Sequence, residues 1–88
     1  MTSRKEIELY LSEVERRLKH MKVIEQYEYL KLESIKPDRE RLYRILLCDE
    51  REGGCVPMSG FYSAKEVEAA VMTLTYFVRL MQSHIKNK

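Results

Sequence analysis

Tryptophan is absent, and glycine, proline and cysteine are scarce: three, two and two in 88 residues. Each shortage excludes something. Gly53, Gly54, Pro57 and Gly60 crowd into one short stretch, so only Pro37 is left to break a helix elsewhere. Two cysteines, Cys48 and Cys55, are too few for a secreted disulfide scaffold, and a bond between them is not expected in a reducing compartment. No apolar run approaches the ~18 residues of a membrane span. No continuous apolar core marks the N-terminus as a secretory signal, and the chain reads as cytoplasmic. Neither sign of charge dominates: 16 basic and 14 acidic residues leave a net +2. A dedicated nucleic-acid binder would carry a larger basic excess, because its affinity comes from counterion release.

What is present predicts one helical domain over residues 1–88. A hydrophobic fraction of 44% and a charged fraction of 34% are globular values. Ser3-Arg4-Lys5-Glu6 reads as a capping box opening a first helix. Ile7, Leu11, Val14, Leu18 and Met21 follow at alternating steps of four and three, a helical stripe. Glu13/Arg17 and Glu15/Lys19 are spaced to pair across one turn. The pattern extends the helix to about Ile35, before Pro37. A second helix is predicted from Pro37 through Leu42, Ile45 and Leu46 to Cys48. Its end is awkward, because Asp49-Glu50-Arg51-Glu52 would lie at the negative pole of the helix dipole. Gly53 to Tyr62 reads as an apolar loop. Ser63-Ala64-Lys65-Glu66 is a second capping box, followed by Val67, Val71, Leu74, Val78, Met81 and Ile85 on one face of a third helix. The expected architecture is all-α: a three-helix antiparallel bundle with a long first helix, most simply a dimer.

The third helix is apolar on two sides. Ala69, Met72, Tyr76 and Leu80 lie roughly opposite the main stripe at 100° per residue. Leu9, Val23, Tyr27 and Leu30 form a lesser second face on the predicted first helix, and Glu25 falls on that helix's apolar stripe. Two-sided helices are usually buried from two sides, and symmetric self-association is the commonest way to do it. Met58 and Phe61 add apolar side chains in the loop. The predicted partner-binding set is therefore Met58, Phe61, Ala69, Met72, Tyr76 and Leu80.

No catalytic or metal constellation is evident. Cys48, Cys55, His20 and His84 lack the close pairing of a zinc site, so no metal or cofactor is expected. G-x-S-x-G and both phosphate-loop patterns are missing. The densest basic segment is Arg16-Arg17-Leu18-Lys19-His20-Met21-Lys22. On a helix, Arg16, Lys19 and His20 share its outer side, where they could contact phosphate or an acidic partner.

Two families bear on these residues. A long, a short and a long helix resemble the layout of the helical chorismate mutases, which are intertwined dimers. That resemblance implies a polar bundle interior, for which Glu25, Arg39, Glu40 and Gln82 are the candidates, although a Lys expected between them falls near Tyr27. Separately, Gly53-Gly54-x-Val56, Ser59-Gly60 and then Lys65, Ala70, Val71 and Leu80 are similar to part of the helical region of small phage late-gene regulators of the autolysin-regulator type. That resemblance implies a regulator from a phage or mobile element that acts through protein contacts. The family's helix-turn-helix has no counterpart within these residues.

The function expected from the sequence is thus a small non-enzymatic helical interaction or regulatory protein whose partner is another protein chain, first of all itself. An accessory nucleic-acid contact through Arg16–Lys22 and a chorismate-mutase-like activity are the alternatives.

Overall fold

A computed structural model describes residues 3–86 and overturns the all-α bundle. Helix α1 (Arg4–His20) is followed by strands β1 (Glu28–Ile35), β2 (Leu42–Asp49), β3 (Cys55–Pro57) and β4 (Tyr62–Ser63), then by helix α2 (Ala64–Lys86). The class is α+β: a four-stranded antiparallel sheet with two helices on one face. Strand β2 is central. Strand β1 pairs along one of its edges, and β3 and β4 share the other.

Helix α1 stops well before Ile35 because its stripe stops at Met21. Lys22 adopts φ 62°, the left-handed conformation that usually calls for glycine. Val23 N–H then donates to Leu18 C=O at 2.9 Å, and Lys22 N–H to Lys19 C=O at 3.1 Å. This is the doubled closure of a Schellman motif. Glu25 therefore never faced a helical core. It is exposed in the turn before β1, where its N–H donates to the Glu28 carboxylate. Val23, Tyr27 and Leu30 likewise leave the predicted helix face.

The predicted second helix is strand β2. In β1, Leu30-Lys31-Leu32-Glu33 alternates with period two, the signature of a strand with one face covered. In β2, Leu42-Tyr43-Arg44-Ile45-Leu46-Leu47-Cys48 is almost continuously apolar, because a central strand can be covered on both sides. Pro37 and Asp38 open the β1–β2 connection, which fits their turn preferences better than a helix start. The acidic run after Cys48 is the β2–β3 turn. Asp49 accepts from the N–H groups of Arg51 and Glu52, Gly53 takes φ 73°, and Asp49 N–H donates to Gly54 C=O. The predicted apolar loop thus contains two short edge strands. Ser59 continues the ladder between them, its hydroxyl accepting from Ile45 N–H at 3.0 Å.

Ile7 and Leu11 from α1, Leu32 from β1, Tyr43 and Ile45 from β2, and Val67 and Val71 from α2 form the core. Val14 and Val78 are buried as well. The two helices run parallel, as the first and third helices of the expected bundle also would, since Glu13 meets Arg79 and Arg17 meets Gln82 further along both. Both predicted caps form. Ser3 accepts from Glu6 N–H, while Ser63 and Glu66 exchange hydrogen bonds in both directions. Leu74, predicted as core, is only half-buried, because the sheet draws α2 round toward Thr75.

On the opposite face of β2, Leu46 and Cys48 are also buried. Cys48 and Cys55 sit directly across the β2–β3 ladder with Cα atoms 4.0 Å apart, and they form a disulfide. The bond was not expected because a reducing compartment was assumed; the β2–β3 ladder brings the two cysteines face to face. Nearby, the Arg44 guanidinium lies 4.6 Å over the Phe61 ring and pairs with Glu33.

Helix α1 also attends to the free edge of β1. Leu30 N–H donates to the Glu15 carboxylate at 2.8 Å, and Arg4 donates to Leu32 C=O at 3.0 Å.

Two outcomes follow from these local geometries. Lys22→Gly should stabilise the protein by about 0.5–1 kcal/mol in urea unfolding, since glycine enters the left-handed region without steric cost. A loss of stability would mean that the Lys22 side chain contributes more than its backbone costs. Reducing the Cys48–Cys55 bond, or replacing both cysteines by alanine, should cost about 2 kcal/mol, the value for closing a short loop. An unchanged melting temperature in reductant would show that the hairpin holds without the bond.

Candidate functional site

Two surfaces stand out. The first is the outer face of α2. Val67, Val71, Thr75 and Val78 are buried against the rest of the fold, while Tyr76, Phe77 and Leu80 stand 59%, 58% and 67% exposed. Ala69, Ala70 and Thr73 are exposed beside them, one to two turns earlier. The helix is therefore apolar on both sides, as its sequence predicts, with one side covered. Of the predicted partner-binding residues, Ala69, Tyr76 and Leu80 share this face, and Met72 lies half-buried at its margin. Met58 is 61% exposed but belongs to the β3–β4 connection, and Phe61 is half-buried beneath Arg44. Phe77 was missed by the sequence reading. Its signal was there, since it falls one turn after Thr73 and beside Tyr76 and Leu80.

The second surface is the seam between the later turns of α1 and α2. Arg79 donates two hydrogen bonds to Glu13, at 3.0 and 2.9 Å. Arg17 donates to Gln82 at 2.6 Å, and its Nε stands 3.6 Å from Glu13. That Nε is buried and makes no hydrogen bond. The hydrogen bonds from Arg79 hold the Glu13 carboxyl below its usual range. Burial opposes the shift, and attraction to Arg79, Arg17 and Arg16 adds to it. Arg79 is raised correspondingly, first by its bond to Glu13.

The predicted anion-contact residues divide. Arg16 and His20 are exposed, whereas Lys19 pairs with Glu15 at 3.5 Å. The three residues share a shallow recess with Glu15 and Gln26. The sequence places Arg17 in the same basic segment but assigns Arg16 to Lys19 and His20; the structure also brings it beside Arg17 and Arg79.

The chorismate-mutase candidates do not converge. Glu25 precedes β1 and Arg39 and Glu40 follow it, so they are separated by a strand of eight residues, roughly 26 Å long. Gln82 is held by Arg17 on α2. Among the described residues no group of three or more His, Cys, Asp and Glu could hold a metal. No helix among them is long and apolar enough to cross a membrane.

The chain matches no family model, and no similar curated protein or solved structure was found.

The seam makes a pH prediction. Because Glu13 is lowered in the fold, its charged form stabilises the native state fully above the ordinary carboxylate value. That contribution is lost as pH falls through the lowered native value. Arg79→Met should raise the Glu13 pKa toward the ordinary range and flatten this part of the acid limb, read by carbon-detected NMR titration of the carboxyl. An unmoved Glu13 titration would transfer the shift to Arg17 and Arg16.

Proposed function

We propose that the protein is a non-enzymatic interaction protein that works as a homodimer, joined through the outer face of α2. The exposure of Tyr76, Phe77 and Leu80 together on one helix carries this reading. Exposed apolar side chains scattered singly need no explanation, but contiguous aromatic and aliphatic ones at helical spacing mark an interface.

A second copy is favoured over another partner because the face complements itself. Its early part is small, with Ala69, Ala70 and Thr73, and its later part is bulky, with Tyr76, Phe77 and Leu80. Antiparallel pairing of two α2 helices about a two-fold axis sets Ala69 against Leu80 and Thr73 against Tyr76. Small meets large at each step, and the helix dipoles oppose. The likeness to phage late-gene regulators implies the same mode of action, through protein contacts.

A cytoplasmic site of action fits the composition, yet a reducing compartment would keep Cys48 and Cys55 as thiols. The Cys48–Cys55 bond supports an oxidising location instead. Alkylation of the protein in cells before and after reduction distinguishes the two.

Light scattering behind size exclusion should give about twice the chain mass of 10.5 kDa at tens of micromolar. The double variant Tyr76→Glu, Leu80→Glu should run at the single-chain mass and keep its circular dichroism. A wild-type monomer at that concentration would sink the homodimer. Steeply salt-dependent binding of an oligonucleotide would favour the nucleic-acid alternative.

A further inference from the structure

We propose that the cleft between the later turns of α1 and α2 is a binding site for a phosphoryl group carried by a small molecule. The cleft encloses about 400 Å³ and is lined by Arg16, Arg17, Arg79, Gln82 and Ser83. Three guanidinium groups from two helices converge on it, and Glu13 pairs with two of them, Arg17 and Arg79. Arg16 makes no ion pair among the described residues, which leaves its whole fork available. Arg17 is half-buried and braced at one end by Gln82, with its Nε enclosed 3.6 Å from Glu13, so the group is held in place before any ligand arrives. Ser83 is exposed at the rim and adds a neutral hydroxyl donor.

This donor set suits one chemistry. Guanidinium forks match the oxygens of a phosphoryl group in pairs, and a tetrahedral dianion can engage several forks at once. A single carboxylate would satisfy one arginine and leave the others repelling each other. With Glu13 already committed to Arg79, the three arginines and one carboxylate leave an excess of about two positive charges, the charge of a phosphate monoester near neutral pH. The negative ends of both helix dipoles lie at this end of the molecule. They amount to about half a charge each, screened at the surface, and reduce that excess without cancelling it. The recess between α1 and the β1 edge, about 390 Å³, lacks this character, because its Arg4 is paired with Glu8 at 2.8 Å. The site lies beside the α2 outer face and does not depend on dimerisation.

The test is an NMR titration of the nitrogen-labelled chain with inorganic phosphate and with adenosine monophosphate, at ionic strength held constant with sodium chloride. Saturable shifts are expected at the Nε–H signals of Arg17 and Arg79 and at the backbone amides of Gln82 and Ser83. Tighter binding of the nucleotide would identify an ester as the ligand class; equal binding would identify the free anion. Arg16→Gln, an exposed change that should leave circular dichroism intact, is expected to weaken either ligand by roughly fivefold. Arg79→Gln provides the second variant. Linear shifts without saturation for both ligands would overturn the proposal. So would unchanged affinity in both variants, since the anion would then sit elsewhere.

Discussion

Strand β2 must be covered on both faces and paired along both edges, and the remaining elements are arranged to do it. Its inner face, with Tyr43 and Ile45, rests on Ile7, Leu11, Val67 and Val71 from the two helices. Its outer face, with Leu46 and Cys48, is sealed in the neighbourhood of the disulfide and the Arg44–Phe61 stack. Along one edge β1 pairs over its full length. Along the other, β3, Ser59 and β4 divide the ladder between them. Burying an apolar strand this completely is how a chain of 88 residues assembles a core without tryptophan. It also explains why the helices lie parallel: each packs on the same sheet face and starts at the same end of the strands.

The helices were legible in the sequence and the sheet was not. Capping boxes and four-three stripes are local signals, and they placed both helix starts, at Ser3 and Ser63, correctly. Strand β2 was misread because a short apolar run satisfies helical and extended spacing equally well. Leu42, Ile45 and Leu46 fit a helix only while their partners in β1 and β3 are ignored. Two discordant details pointed the other way. Glu25 on an apolar stripe and the acidic run at a helix C-terminus each cost energy in the helical reading, and each is a turn residue in the fold. Glu25 thus marked a break in the first stripe near residue 22, but not its form, since Lys22 occupies a backbone conformation that its residue type does not announce.

Of the candidate surfaces, the α2 face was readable because exposure on one helix follows from periodicity alone. Ala69, Tyr76 and Leu80 needed no tertiary information. The arginine cleft was half readable. Arg16 and Arg17 are neighbours in sequence, but Arg79 reaches them only because the helices run parallel.

The hydrogen bonds from α1 to the outer edge of β1 have a consequence for how the protein fails. Glu15 and Arg4 occupy backbone positions to which another strand would otherwise bind. An open strand edge is a template for aggregation, and sheets usually protect it with charges or covering elements. Here the guard is a helix that is itself attached by a turn at one end and by packing along its length. If α1 detaches while β1 stays paired with β2, it exposes a strand edge and the apolar side chains of Leu30 and Leu32 together. The Cys48–Cys55 bond ties β3 to β2 and leaves β1 to its ladder alone, so what protects solubility is the seating of α1, and its partial loss is more hazardous than complete unfolding.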